Sequence, residues 1–337
     1  METDRRSLTD VYFLNVKYLL ILLVVSANAI EPIIPRSGFA NALYESIYLF
    51  HIPMFVMVMG YLAKGSRWDR KGLAFFRTIA WQYLLFQTVY SLVDMFYFHA
   101  KGVVYSFFMP YSLLWFLFSH WIWRAMLLGF KNIPHPVFVS VLLGIAVGYL
   151  PWTGGWLSFS RTFVFFPFFL AGYYFPVEAK WKEWMRRWRV AAALAGLAML
   201  AFLAAGFRLN PGWLYGNMTF GELRHPEWYA GLYRLGVYAL EAAASLVFLM
   251  LVPWRRGVMT EWGKRTVYVY LFQGLAIKAC IAAGLYRYLA SPWETVLLLA
   301  AGFGLTWSLS QRWWESFAKP WVEPDFSFIK FSVKKTP

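Results

Sequence analysis

Residues 12–31 read YFLNVKYLLILLVVSANAIE, a run broken only by Lys17 and closed by Glu31. A helix rises about 1.5 Å per residue, so a run of this length measures roughly 30 Å, the thickness of a bilayer's hydrocarbon core. The pattern recurs down the chain. Further apolar stretches lie near 43–62, 78–98, 111–129, 136–151, 161–176, 190–207, 232–252, 265–284 and 294–311, with short loops between them. They predict an all-α fold, a polytopic membrane helix bundle of about ten transmembrane helices. A short N-terminal segment (1–11) precedes this domain (12–311), and a tail (312–337) follows it.

Composition agrees. The 337 residues are 60% hydrophobic and 15% charged, where a soluble domain carries nearer a quarter charged residues. Mean hydropathy is +0.48. Aromatic residues make up 21%, as in the Trp and Tyr belts at membrane–water interfaces. The net charge of +15 sits between apolar stretches, where it sets topology; it implies no nucleic-acid partner. A single cysteine, Cys280, rules out an intrachain disulfide or a cysteine-based metal site.

Basic residues crowd alternate loops: Lys64, Arg67, Arg70, Lys71 and Arg77; then Lys180, Lys182, Arg186, Arg187 and Arg189; then Arg255, Arg256, Lys264 and Arg265. The intervening loops are poorer, with Lys101 in one and Arg161 in another. The positive-inside rule therefore places both termini in the cytoplasm of a multi-pass cell-membrane protein, as an even number of spans also requires. Arg5, Arg6, the first apolar run and Ala27-Asn28-Ala29 imitate a cleavable secretory signal. Lys17 interrupts that run and cleavage would leave an odd number of spans, so an uncleaved first span is expected.

Polar groups inside apolar spans are costly and are the first candidates for function. Lys17 and Asn28 are eleven residues apart, about 1100° of helix, so they share a face some 16 Å apart along the axis. Glu31 follows close to that face. His51 lies in Leu49-Phe50-His51-Ile52-Pro53, and Pro53 is expected to kink the helix and open room beside the histidine. Arg77 and Arg161 open two other spans, and Gln273 lies within a ninth. Together they form a polar track with Lys17 and Arg77 at an inner mouth, Gln273 and His51 nearer the middle, and Asn28, Glu31 and Arg161 at an outer mouth. Each has a blander reading. Lys17 snorkels, Arg77 and Arg161 are topological or interfacial charges, His51 makes a structural hydrogen bond, and Gln273 glues two helices together. His120 faces either the bundle or the interface; no histidine shows metal-ligand spacing with Asp or Glu, so no metal is expected. The loop 208–231, rich in Gly, Pro and aromatics, suits either a sugar-stacking lid or a packed cap. The tail, with Trp313, Trp314, Trp321, Lys334 and Lys335, is expected along the inner membrane surface.

Six pieces in order carry a resemblance: residues 11–34 (VYFLNVKYLLILLVVSANAIEPII), 48–61 (YLFHIPMFVMVMGY), 111–124 (YSLLWFLFSHWIWR), 160–174 (SRTFVFFPFFLAGYY), 213–216 (WLYG) and 263–273 (GKRTVYVYLFQ). They resemble the integral-membrane acyltransferase 3 family, most closely its fucose 4-O-acetylase-like branch, from about residue 10 to 310. The resemblance implies ten spans with both termini inside. It also implies transfer of an acetyl or similar group from cytoplasmic acyl-CoA, the donor substrate, to a hydroxyl of an extracytoplasmic or lipid-linked glycan, with no permanently bound cofactor. The implied partners are acyl-CoA, the glycan acceptor and membrane lipids. Lys17 takes the family's basic position on the first span, and Phe50-His51-Ile52-Pro53 matches its Phe-His-Met-Pro motif. Arg77 matches the second half of an Arg-x-x-Arg pair, and Arg161 matches ahead of Phe165-Phe166-Pro167. Asn28 stands where the family has a catalytic histidine, Gln273 where it commonly has another, and Ala74 where it has the first arginine.

An amide can neither take a proton near neutral pH nor carry an acyl group, so the catalytic burden at Asn28 must fall elsewhere. On this reading His51 is the base or nucleophile and Glu31 a second candidate base, with Asn28 orienting the reacting groups. Lys17 and Arg77 bind the anionic donor; Arg161, Tyr215 and Gln273 bind the acceptor. Two other classes use the same track: a transporter or exporter of a lipid or small anion, and a non-catalytic acyltransferase-like binder.

Overall fold

A computed structural model describes residues 2–64, 70–98, 106–151, 158–176, 179–206 and 210–325. Arg67, Lys101, Lys334 and Lys335, named above, lie outside these. The described residues are helical, with no strand among them.

The first half of the chain forms α1 (Glu2–Ile30), α2 (Gly38–Tyr48), α3 (His51–Leu62), α4 (Arg70–Leu92), α5 (Trp115–Phe130), α6 (Pro136–Ala146) and α7 (Phe159–Tyr173). The second half forms α8 (Ala179–Arg187), α9 (Arg189–Ala204), α10 (Pro211–Tyr215), α11 (Ala230–Leu251), α12 (Val258–Gly263), α13 (Thr266–Ala282), α14 (Pro292–Leu309) and α15 (Arg312–Val322). Each of the apolar stretches predicted from sequence carries a helix. Three segments are long and apolar enough to cross a bilayer unaided: Thr9–Arg36, Gly38–Leu62 and Ala230–Leu251. The pair α8–α9, bent by 56°, adds a fourth if it is one span. Large apolar side chains such as Val190, Leu194, Leu197 and Leu232 stand exposed on the outsides of α9 and α11. A soluble monomer rarely shows so much contiguous apolar surface, whereas a lipid surrounding covers it.

Helix α1 is the central post, packed by α3, α12, α13 and α14. Two of its polar residues tie it to the second half of the bundle. Asn15, 1% exposed, donates to the carbonyls of Pro253 and Arg255, both at 2.9 Å, and accepts from the Thr260 hydroxyl at 2.8 Å. Tyr12 donates to the Leu249 carbonyl at 2.7 Å. Helix α14 is started by a capping box, Ser291 accepting from the Glu294 amide while Glu294 accepts from Ser291.

Helices α3 and α7 pack backbone against backbone. A Cβ placed on Gly60 would lie 1.8 Å from the Phe169 carbonyl oxygen, and one on Gly172 would lie 1.8 Å from that of Met57. Only glycine lets two helix backbones touch in this reciprocal way.

The predicted kink takes a specific form. The helix stops at Tyr48, five residues before Pro53, and restarts at His51. Pro53 cannot donate to the Leu49 carbonyl, and its ring crowds that oxygen. The chain therefore breaks at Leu49–Phe50, with Phe50 at φ −131° and its amide donating to Ile47 at 3.3 Å. Pro53 ends up in the first turn of α3, where a missing N–H costs nothing.

The 208–231 loop, described from Asn210, is a packed cap. Asn210 caps α10 by accepting from the Gly212 amide at 2.9 Å, Gly216 ends it at φ +63°, and Trp213, Phe220 and Leu223 bury together. The described part of the tail is a helix held to the bundle. Its α15 docks on α4, where Trp81 and Gln82 donate to the carbonyls of Trp321 (2.7 Å) and Val322 (3.0 Å). It docks on α13 through Arg265 and Glu315, 2.5 Å apart. Residues 326–337 of the tail lie outside the described residues.

Candidate active site

Helix α1 presents Lys17, Ile21, Val24, Asn28 and Glu31 along one stripe, at alternating spacings of four and three. That stripe forms one wall of a cavity of about 1200 Å³ running lengthwise through the bundle. The cavity joins a Lys17 end to a Glu31 end, and residues of α2, α3, α4, α5, α7, α10 and α13 contribute its other walls. Lys17, Asn28, Glu31, His51, Arg161, Tyr215 and Gln273, seven residues singled out from sequence, all border it.

His51 is the first residue of α3 and only 5% exposed. Its Nδ1 lies 2.9 Å from the Ile47 carbonyl oxygen, left with a free lone pair by the helix break. A carbonyl only accepts, so Nδ1 carries the proton and Nε2 keeps the lone pair. The break thus fixes both the ring's tautomer and its place on the cavity wall. Tyr48 packs edge-on against the ring at 4.4 Å and stacks on Tyr44 at 4.1 Å.

Asn28 donates through Nδ2 to Oε1 of Gln273 at 3.2 Å. Gln273 is fully buried, and its Nε2 has no hydrogen-bond partner. Gln273 thus offers at the cavity wall an amide donor that no protein group among the described residues uses.

At the Glu31 end, Glu31 is within hydrogen-bonding reach of the Tyr44 hydroxyl. Tyr44 and Tyr215 share a hydroxyl–hydroxyl bond of 3.1 Å. Tyr215, on the cap, is held by its backbone: Arg161 Nε donates to its carbonyl at 3.3 Å, and Ser160 donates to that of Gly216 at 2.8 Å. Burial holds the Tyr215 phenol above its ordinary pKa, so it stays a donor. The Arg161 guanidinium lies over the Trp115 ring, 4.9 Å from its centre.

At the Lys17 end the structure departs from expectation. Arg77 does not border the cavity. Helix α4 turns Phe75, Thr78, Ile79 and Gln82 inward. At about 100° per residue Arg77 points roughly 150° away from the centre of that face. Its place is taken by Arg124 on α5, one turn after His120. Arg124 Nε and His120 Nε2 are buried without hydrogen-bond partners. Lys17 has no ion-pair partner among the described residues. Three nitrogen-bearing groups with unused donors therefore gather there, a setting that suits an anion. Sequence reasoning singled out His120 only as undecided and passed over Arg124; an i, i+4 His–Arg pair on an otherwise apolar helix is the signal that marks both.

No family model matches the chain, and no solved structure matches it. Among characterised proteins it is similar to nodulation protein NolL of Mesorhizobium japonicum, 24% identical over 301 residues, which cover 80% of this chain and 77% of that protein. The likeness spans most of both chains. It gives distant, partial support to the acyltransferase resemblance of the sequence motifs.

Proposed function

We propose that this protein is a membrane O-acyltransferase that moves an acetyl or similar group from acyl-CoA to a hydroxyl of a glycan or lipid-linked sugar. The observation that carries the reading is His51: a buried imidazole, its Nδ1 tied to the Ile47 carbonyl, presented to a cavity that continues to both ends of the bundle. The similarity to NolL is in line with an O-acetyltransferase-type role.

In this mechanism Lys17 and Arg124, with His120, hold the phosphates of acyl-CoA at one end, on the cytoplasmic side. The thioester reaches His51, and the acceptor enters from the Glu31 end past Arg161 and Tyr215. Nε2 of His51 takes the acceptor's hydroxyl proton as the oxygen attacks the thioester carbon. The carbonyl oxygen becomes an oxyanion and accepts from the unused Nε2–H of Gln273, which Asn28 holds in register. The carbon–sulfur bond then breaks, and the CoA thiolate takes the proton from His51. Asn28 positions Gln273, so a histidine is not required there.

The test is transfer of label from radiolabelled acetyl-CoA into glycan by sealed membranes bearing the wild type, His51→Ala or Asn28→His. Wild-type transfer that falls about 10²–10⁴-fold in His51→Ala supports the assignment of the base. Full transfer by His51→Ala sinks it. A silent wild type with transfer restored by Asn28→His identifies a non-catalytic acyltransferase-like binder. Silence in all three, with no acyl-CoA binding, favours the transporter.

A further inference from the structure

Away from His51, the Glu31 half of the cavity holds a second polar group that the mechanism does not use. Helix α4 ends in a wider turn, Val93–Tyr97, hydrogen-bonded i to i+5 and placing Asp94 inside the bundle. Such turns recur at functional sites because they re-aim one side chain out of helical register. Asp94 Oδ1 lies 2.5 Å from the Lys278 ammonium of α13, and Oδ2 accepts from the Tyr111 hydroxyl at 2.7 Å. Lys278 and Tyr111 border the cavity, with the carboxylate behind them.

The assembly is built before any ligand arrives. Gln87, 1% exposed, donates to the carbonyls of Ser106 (3.0 Å) and Met109 (3.1 Å) and accepts from the Tyr111 amide at 2.8 Å. One side chain thus fixes the loop that delivers Tyr111. The Tyr111 ring stacks on that of Tyr90, 5.0 Å between centres.

The free valences say what fits. Lys278 has three N–H donors and spends one on Asp94. Tyr111 spends its proton on Asp94, which leaves its phenolic oxygen to accept. A donor and an acceptor therefore stand side by side, among aromatic faces. Their charge is balanced, +1 on Lys278 against −1 on Asp94. An anion gains little from a cation already paired, in contrast to the unpaired Lys17 end. A neutral diol, whose hydroxyls both donate and accept, uses both groups. Lys278 lies five residues beyond Gln273 on α13, about 7.5 Å along the axis, the scale of one sugar ring.

We propose that Lys278 and Tyr111, locked by Asp94, form a subsite for a neutral sugar ring bearing adjacent free hydroxyls, and that this subsite selects neutral over acidic acceptors. The proposal rests on the acyltransferase reading for its catalytic consequence but not for binding. Two readouts on the full-length protein keep the two apart. One is binding of methyl glucoside and methyl glucuronide to detergent-solubilised protein, measured by calorimetry. The other is the acceptor and acetyl-CoA KM for transfer to the same two probes.

Tyr111→Phe and Lys278→Met each weaken methyl glucoside binding and raise its KM about tenfold, as loss of one or two hydrogen bonds requires, and leave the acetyl-CoA KM unchanged. Asp94→Asn unpairs Lys278 and shifts preference toward methyl glucuronide by a similar factor. Lys278→Arg, which keeps the ion pair, retains most of the neutral preference; this separates recognition from a merely structural strap. If the wild type binds methyl glucoside through these residues but transfers nothing, the subsite stands and the acyltransferase reading falls. If the wild type transfers to methyl glucoside and none of the variants alters binding, KM or preference, the subsite is wrong. A wild type that binds neither probe also overturns it.

Discussion

Replacing Gln273 by leucine separates a binding role from a structural one. In the folded protein the Gln273 amide makes one bond, accepting from Asn28 at 3.2 Å, while its own Nε2 is buried and unpaired. Leucine loses that neutral bond, worth about 0.5–1.5 kcal/mol. Asn28 is only partly buried and borders the cavity, so water replaces its lost partner. The variant is destabilised by no more than about 1 kcal/mol, roughly 2 °C in a protein of this size. Acyl transfer falls much further: removing one oxyanion donor costs about 10²–10³-fold in kcat. Thermal unfolding in detergent and the sealed-membrane transfer assay measure the two sides. A Gln273→Leu protein that is well over about 1 kcal/mol less stable yet keeps full transfer is evidence of helix glue and refutes the oxyanion role.

The two arginines give a second contrast. Arg124→Met raises the acetyl-CoA KM about tenfold or more, since hydrogen bonds to charged groups are worth about 1.5–3 kcal/mol, whereas Arg77→Met leaves it within twofold. Equal effects on KM would contradict the facing of α4. Ser291→Ala destabilises the protein by about 1 kcal/mol through loss of the α14 cap, read as a lower unfolding midpoint; an unchanged midpoint shows the cap contributes nothing. Glu261, in α12, is held below the usual carboxylate pKa by its hydrogen bond to Lys264 and by Arg256 nearby. Its folded-state value is depressed, so its contribution is present above the unfolded value and lost as pH falls through the folded one. Lys264→Ala therefore flattens stability against pH in the acid range, and identical curves would exclude the coupling.

Much of this was legible in the chain because helix periodicity is local. Lys17, Asn28 and Glu31 fall on one stripe by arithmetic alone, and that stripe is a cavity wall. Arg77 shows the limit: a basic residue at a helix end looks the same whether it faces a cavity or away from it. Only the rotation of α4, set by how Phe75, Ile79 and Gln82 pack, tells the two apart. Asp94 and Lys278 stand 184 residues apart, and nothing local in either stretch announces the other. The break before His51 was half visible. Pro53 announced a disruption, but the break falls upstream at Leu49–Phe50, and it is the Ile47 carbonyl next to that break that orients the imidazole. The aromatic loop could be read two ways from composition, and it carries features of both: Trp213 packs against Phe220 while Tyr215 borders the cavity.

The backbone contact at Gly60 and Gly172 has a mechanical consequence. Helix α3 carries His51 and α7 carries Arg161, and two carbonyl oxygens wedged against two glycines leave these helices no room to slide or twist past each other. They form a fixed jamb. The opposite wall is jointed through side chains, Phe86 against Phe272 and the Tyr90 hydroxyl on the Leu271 carbonyl, and these can shift by rotamer. Widening of the passage for a bulky cargo therefore falls to α4 and α13, while the imidazole keeps its bearing.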